Sequence, residues 1–389
     1  MSLKSFILTS VFIVPFLTGI HLTVFSQEQQ EEVSFSITQD AAGNFRGGIK
    51  PGFAHLGLIQ LNLTLQTENM DWWKDGTWKI QIQNTYGHQP TQEMVGDVQV
   101  FSNIEHGNYT YLYQFWYRHH FEDLTLLAGK HDMNAHFFTS DYAGQYINSS
   151  FGIMPVASLN VPVSIFPSTT LGFVANYRMT RGLSFQGGIY NGYPGKITRT
   201  NFGTDLNLSF SRGLFYIGEL GWDTSWNDLE GTYKLGAFYH SGSFPGLCNP
   251  DITHQGASGV YLLADQLLHQ DADGSGEMGT FLQVGYSPEP CSLNDFYMAY
   301  GLNFSGVGGS HPGNSVGVAL AHASTNDRLL EKDAESYQQC ETAVELTYTH
   351  HLSDQLVVQP DIQYILNPGM KSRHDHCLVA LVRVNWKYN

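Results

Sequence analysis

Charge is scarce in this chain. Asp, Glu, Lys and Arg together make 14% of its 389 residues, against about 25% in an ordinary soluble domain. Basic residues are scarcer still: 19 Lys and Arg face 35 Asp and Glu, for a formal net charge of −16. Nucleic acid is held by basic faces, so it is excluded as a partner. Beyond the first 26 residues there is no apolar run of about 18 residues, the length a membrane-crossing helix needs. The four cysteines, Cys248, Cys291, Cys340 and Cys377, stand at least 37 positions apart, which removes CxxC metal and redox motifs. Neither HExxH nor a phosphate-cradling GxxxxGK occurs.

What is abundant is glycine, at 40 residues, and aromatic side chains, at 13%. The mean hydropathy is nonetheless slightly negative. That combination suits a transmembrane β-barrel, in which half of each strand meets lipid and half meets water.

Residues 1–26 read as a signal peptide. Lys4 supplies the positive start, the apolar run extends from Phe6 to Phe25, and Val24 and Ser26 are the small residues of a cleavage site before Gln27. A membrane anchor is the competing reading of the same run, but the abrupt change to QEQQEE favours cleavage. In the oxidising compartment this implies, the cysteines are expected to form one or two loop disulfides. Residues 27–47 read as a short polar segment, and 48–389 as the barrel.

Within that region, alternating segments of about 8 to 12 residues are separated by Gly, Asn, Asp and Pro clusters. In one, Trp78, Ile80, Ile82 and Tyr86 oppose Lys79, Gln81, Gln83 and Thr85. In another, Val358, Pro360, Ile362, Tyr364 and Leu366 oppose Gln359, Asp361 and Gln363. In the last, Leu378, Ala380, Val382, Val384, Trp386 and Tyr388 oppose Arg383, Asn385 and Lys387. A strand alternates its side chains, so each segment has one greasy and one wet face. Aromatics near the segment ends favour lipid over a soluble sandwich core as what the greasy face meets. With no water in a bilayer, strands can cross only as a closed barrel. Sixteen strands at about 23 residues each, connection included, fit the length, and fourteen or eighteen remain compatible. A barrel of that size leaves an aqueous channel.

The segment GDVQVFSNIEHGNYTYLYQFWYRHHFEDLTLLAGKHDMNAHFFTSDYAGQYINSSFG, from Gly96 to Gly152, resembles the carbohydrate-selective porins of the OprB type. So do GFVANYRMTRGLSFQGGIYNGYPG, GTYKLGAFYHSGSF and GVYLLADQLL, and then ETAVELTYTHHLSDQLVVQPDIQYILNPG with its core at Pro360, Asp361, Gln363 and Tyr364. Two departures stand out: Gln114 occupies a place where an acid is expected, and Ser353-Asp354-Gln355 one where an aromatic is usual. The resemblance implies an all-β, sixteen-stranded antiparallel barrel in a Gram-negative outer membrane, passing small sugars by passive diffusion. The implied partners are small neutral sugars and outer-membrane lipid, with the barrel standing as a monomer or a homotrimer. No cofactor or metal is implied.

A neutral sugar must exchange its water for hydrogen bonds from the wall and still leave. The candidate wall residues are Gln60, Asn62 and Thr64; Lys79, Gln81 and Gln83; Gln359, Asp361 and Gln363; and Arg383 with Asn385. Amides dominate, which suits neutral polyols. A constricting loop is expected over Lys130 to Phe151, with Asp132, Asn134, His136, Asp141, Tyr142, Tyr146 and Asn148 as its polar and aromatic content. Asp271 to Glu277 opens like a calcium loop, but its twelfth position is Leu282, so a turn is expected. His374, His376 and Cys377 could be imagined around a metal; a solvated loop is the plainer reading. The competing functions are a general small-solute porin, a barrel-form outer-membrane lipase or protease, and an adhesive barrel with a plugged lumen. Blockable conductance separates the first class from the others.

Overall fold

The computed structural model describes residues 32–206, 210–308 and 311–388; the signal-peptide reading therefore lies outside the described residues. Sixteen antiparallel strands close into one barrel. They are β1 (Glu32–Gly48), β2 (Gly52–Gln66), β3 (Gly76–Gly87), β4 (Tyr109–Phe121), β5 (Leu124–His131), β6 (Thr170–Arg178), β7 (Leu183–Asn191) and β8 (Leu214–Trp226). The second half comprises β9 (Leu229–Pro245), β10 (Thr253–Gln270), β11 (Glu277–Tyr286), β12 (Asn294–Ser305), β13 (Ser315–Thr325), β14 (Cys340–His351), β15 (Leu356–Leu366) and β16 (Asp375–Tyr388). Each strand pairs with its sequence neighbours, and β1 closes the ring on β16 from Phe35↔Tyr388 to Gly48↔Asp375.

The barrel thus begins at Glu32, inside the stretch expected to be a polar lead-in up to Gly47. Val33, Phe35 and Ile37 do alternate with Ser34, Ser36 and Thr38. Further on, Gln39, Ala41 and Gly43 occupy the lipid-facing places, and small residues there blur the greasy stripe by which a strand is recognised.

The alternation of the three diagnostic segments is the alternation of the wall. Ile82, Ile362, Tyr364, Val382 and Tyr388 are exposed on the outside, while Gln81, Gln83, Asp361 and Gln363 are buried within. An outer surface this apolar, continued by Phe173, Phe185, Leu220, Leu235 and Val260, is soluble only in hydrocarbon.

The two ends of the barrel differ. At the end that holds the start of β1 and the finish of β16, strands join by short connections, several of them tight turns and the longest 67–75 and 306–314. Asn227 and Asp228, with φ of 52° and 65°, are the whole β8–β9 connection, as a two-residue hairpin turn requires. The stretch from Asp271, read as a turn, is the β10–β11 connection at this end. The opposite end carries the long connections 88–108, 132–169 and 192–213. The first two fold back into the barrel.

Candidate functional site

The 132–169 connection begins two residues later than expected and runs well past Phe151; Lys130 and His131 belong to β5. Asp132 opens it, accepting the Asn134 backbone N–H at 2.8 Å and the Tyr113 hydroxyl. Burial pushes the Asp132 carboxyl up to about 6. Asn134 closes the first bend by donating to the carbonyls of Phe137 and Gly152 at 3.1 and 2.8 Å. Asn148 caps the turn that follows, accepting from the Ser150 N–H.

Apolar side chains of this connection form the largest buried cluster among the described residues. Met133, Phe137, Phe138, Phe151, Met154 and Val156 pack against Trp116, Phe215, Phe281, Tyr297 and Ala319 of the inner wall. Glycines on that wall leave the room. A Cβ at Gly188 would stand 2.9 Å from the Phe137 ring, one at Gly279 2.0 Å from Tyr142, and one at Gly285 2.5 Å from Val156. Close packing makes such sockets matter, because a single methyl would have to displace the occupant.

Wall carboxylates fasten the backbone. Glu345 accepts the N–H groups of Ile147 and Asn148 at 2.7 and 3.0 Å. Glu341 does the same for Val98 and Gln99, both at 2.9 Å, and also takes Gly369 N–H at 2.5 Å. Asp265 holds the Ser140 hydroxyl and the Asp141 N–H at 2.5 and 2.8 Å. A carboxylate bracketing two successive amides makes charge-assisted bonds, roughly twice as strong as neutral ones. The segment 88–108, which the sequence reading did not identify as an inward element, joins the first through Asn103 N–H to Ile147 O at 3.0 Å and Ser149 N–H to Val100 O at 2.9 Å. In it, burial raises the carboxyls of Asp97 to about 6 and Glu105 to about 7, and lowers His106 to about 4.

The candidate residues therefore divide. Asp361 and Gln363 are buried beneath the inward segments; Gln363 donates to Phe101 O at 2.9 Å and accepts from the Asn148 amide at 3.1 Å. Arg383 is engaged by both oxygens of Asp40 at 2.8 Å and by Asn103 at 2.8 Å. Gln359 holds Gln145 O at 3.0 Å. These are docking contacts. Gln81 and Gln83 form the base of an amide row: Gln114 Nε2 donates to Gln81 at 2.6 Å and the Tyr111 hydroxyl to Gln83 at 2.9 Å. The unexpected amide at Gln114 thus belongs to that row, also accepting Trp116 Nε1–H at 2.9 Å.

Beside them Gln60, Asn62, Thr64 and Lys79 remain half-buried on the inward face, in register as Gln60↔Gln83, Asn62↔Gln81 and Thr64↔Lys79. Asn385 borders the row by donating to Thr38 at 2.8 Å. Of the inward segment, Asp141 is exposed, and His136 is half-buried with its Nε2 unpartnered. Tyr142 fills its glycine socket, and Tyr146 donates to Leu302 O at 3.0 Å.

Two other expectations are corrected or resolved. All four cysteines are free thiols, not loop disulfides: Cys340 and Cys377 lie within β14 and β16, and Cys377 donates to Asn44 at 3.1 Å inside the barrel. His374 bonds to Pro368 O and His376 to Asn367 N–H, at 3.0 and 3.2 Å; Cys377 points to the other face from its neighbour His376. The absence of a GxSxG string was also expected, yet Gly313-Asn314-Ser315-Val316-Gly317 has the spacing of a hydrolase nucleophile turn. It leads into β13, whereas such a nucleophile stands between a strand and a helix, and Ser315 is paired with Ser305 and Thr349.

The model of the carbohydrate-selective porin family, OprB, matches residues 50–388. QuiX of Acinetobacter baylyi is 24% identical, over 92% of this chain and 90% of its own length. Porin B of Pseudomonas aeruginosa is 22% identical, over 89% and 85%. The high-pH structure of OprB from Pseudomonas putida superimposes with a TM-score of 0.84 at 20% identity, covering 92% of this chain and 94% of that one. This last likeness is one of fold.

Proposed function

We infer the sugar's route from one premise: the chain belongs to the carbohydrate-selective porin family, OprB, and is a sugar channel of the Gram-negative outer membrane. Sugars cross along the inner face of β1–β4, between that wall and the two inward segments. The observation that carries this reading is the amide row, Gln60 with Gln83 and Asn62 with Gln81 and Gln114, half-open on a wall whose opposite side is covered.

The chemistry suits the task. Amides donate and accept at once, as sugar hydroxyls do. Gln81 and Gln83 are held by Gln114 and Tyr111, so the row is preorganised. Gln60, Asn62 and Thr64 keep enough exposure to exchange water for a hydroxyl and release it. The segment 132–169 narrows the lumen in this reading, with Asp132, Asn134 and Asn148 shaping its bends. A general small-solute pore is the alternative, and it differs in being indifferent to sugar.

Planar bilayers test both. Stepwise conductance that glucose or maltose blocks is expected, with Gln60→Leu plus Asn62→Leu raising the half-blocking concentration about tenfold, the size of one or two lost hydrogen bonds. Conductance that no sugar alters would reject the selective route. Replacing Asp132, Asn134 and Asn148 together by Ala should widen the pore; unchanged conductance and flux would remove the segment from the constriction.

A further inference from the structure

The barrel wall is uneven in height, and the connection 192–213 stands where it is lowest. Strands β5, β6 and β7 have 8, 9 and 9 residues, against 17 and 18 in β9 and β10. At about 3.3 Å per residue and a tilt of about 45°, nine residues rise roughly 21 Å, short of an apolar band about 25 Å tall. The connection makes up the difference. β5 pairs with β4 only from Phe115 onward, which leaves residues 109–114 of β4 an open edge on that side. On this edge the Leu112 N–H donates to the Phe202 carbonyl at 2.9 Å. The connection therefore spans the tops of β5 and β6 and closes the edge of β4.

Its side chains are of two kinds, apolar and basic. Phe202 and Phe210 are 54% and 71% exposed. Lys196 and Arg199 are exposed on a turn closed by Asn201, which accepts the Thr198 N–H at 2.9 Å and donates to Lys196 O at 2.8 Å. Neither basic side chain has a hydrogen bond or ion pair among the described residues. The Arg212 guanidinium lies 4.0 Å from the Tyr193 ring centroid. In a chain with 35 acids and 19 bases, this connection alone sets three cations against one acid. That acid, Asp205, is within electrostatic reach of Lys130. Directly below, the outer face of β6–β9 carries an apolar trough of about 440 Å³, with Gly187, Gly218 and Ala237 as its floor and Phe173, Ile189 and Tyr216 along its sides. Ile189 and Tyr216 are two residues from Asn191 and Leu214, where the connection begins and ends, and the Gly192 N–H to Gly213 O bond at 3.1 Å carries the ladder up to Arg212.

We propose that this face seats a phosphorylated, multiply acylated glycolipid of the outer leaflet, its phosphate on Lys196, Arg199 and Arg212 and one acyl chain in the trough. Long connections of an outer-membrane barrel face the outside, so the cations stand at the level of the outer leaflet. Arg takes phosphate oxygens by its fork and Lys as a point charge. The exposed rings of Phe202 and Phe210 sit at the interface, where aromatic side chains anchor. A second copy of the chain fits the face less well: a twofold contact would set the three cations against three more. The seat lies outside the barrel and is independent of the sugar route.

The test uses the full barrel, purified in detergent and freed of endogenous lipid, with bound lipid counted by native mass spectrometry. It is titrated with bisphosphorylated lipid A, with dephosphorylated lipid A and with phosphatidylglycerol. Bisphosphorylated lipid A is expected to bind at least tenfold more tightly than the dephosphorylated form and at least threefold more tightly than phosphatidylglycerol. Lys196→Gln with Arg199→Gln and Arg212→Gln should weaken it at least fivefold, and Lys196→Arg with Arg199→Lys should keep it. Gly218→Leu, which fills the trough, should weaken both forms of lipid A alike, single-channel steps confirming an intact pore in each variant. Equal binding of the two forms of lipid A, or an affinity unmoved by the triple substitution or by Gly218→Leu, overturns the seat. So does phosphatidylglycerol bound as tightly as lipid A, which would make the patch a surface for any anionic headgroup. A barrel that pairs with itself and takes up no lipid overturns it too, and gives the face to a second copy.

Discussion

The β1–β4 wall and the β8–β14 wall share one two-residue alternation, yet the first keeps a half-open stretch at Gln60, Asn62, Thr64 and Lys79 beyond the part that Ile104 and Met94 cover, and the second is covered by the chain's own connections. The difference lies in what occupies the inward positions. On β11–β14 most of these are small or acidic, Gly279, Gly285, Ala299, Ala319, Ala321, Glu341 and Ala343 with Glu345 beyond, set among the large rings of Phe281 and Tyr297. Small residues leave sockets for Tyr142, Met154 and Val156, and isolated acids bracket passing amides. Past Ala54, Leu56 and Leu58, which Met94 and Ile104 cover, the inward residues of β2 and one of β3 are Gln60, Asn62, Thr64 and Lys79, too polar to cover with a Phe or a Met. Inward polarity alone therefore does not mark a channel. Size and spacing of the inward residues decide whether a wall is plugged or wet.

The comparison breaks most sharply if the brackets are removed. Glu341→Ala with Glu345→Ala leaves five backbone N–H groups, of Val98, Gln99, Gly369, Ile147 and Asn148, without their acceptors, each costing about 1–3 kcal/mol. Both inward segments should then detach from the wall. Single-channel conductance is expected to rise several-fold and sugar block to disappear, while the barrel still resists sodium dodecyl sulfate at room temperature. Conductance at the native value would mean that apolar packing alone seats the segments.

A smaller effect should separate glycines on the two sides of the wall. A Cβ at Gly279 meets the Tyr142 ring at 2.0 Å, and Tyr142 is tethered by the Asn303 amide donating to its carbonyl at 2.9 Å. Gly218, on the outer face between Gly187 and Ala237, would bring a Cβ no closer than 3.7 Å to the Phe185 ring. Gly279→Ala should displace the ring and increase protease cleavage within 132–169. Gly218→Ala should change stability by no more than about 0.5 kcal/mol, as surface substitutions usually do. Equal sensitivity at both sites would deny that the inner glycines are sockets.

The barrel was legible because period-two alternation is local: the faces around Trp78–Tyr86 and Val358–Leu366 follow from adjacent residues, and the strand count from length. The OprB resemblance was carried by segments that span most of the described chain. The inward segments were only half legible. A long connection after β5 stands out by length and composition, but its end at residue 169 depends on contacts with strands more than a hundred residues away, such as Asn160 with Asn294. The docking roles of Asp361, Gln363 and Arg383 are equally non-local, since an inward polar residue on a strand looks the same whether it meets water or a folded segment. One signal was there to be read: Glu341 and Glu345 lie four apart on a strand, hence on one face, each flanked by small or apolar inward neighbours. Paired acids on an otherwise apolar inner face call for amides to bind.

The faintest test of the comparison is titration of the segment 88–108. Burial raises Glu105 from the usual carboxylate range to about 7 and Asp97 to about 6, so each favours docking fully below the range of an unfolded carboxylate, near pH 4, and loses that contribution as pH climbs through 6 and 7. His106 runs the other way. Desolvation lowers it from 6.5 to about 4, so its contribution is present above pH 6.5 and fades as pH falls through 4. Two carboxyls oppose one imidazole over the same interval, and docking should therefore weaken modestly between pH 4.5 and 7.5, read as faster amide hydrogen exchange across residues 91–106 after correction for intrinsic rates. Glu105→Gln with Asp97→Asn removes the opposing pair and leaves His106 alone, which reverses the slope: protection should then increase with pH. A slope of the same sign in the double variant would show that other groups govern how this segment is held.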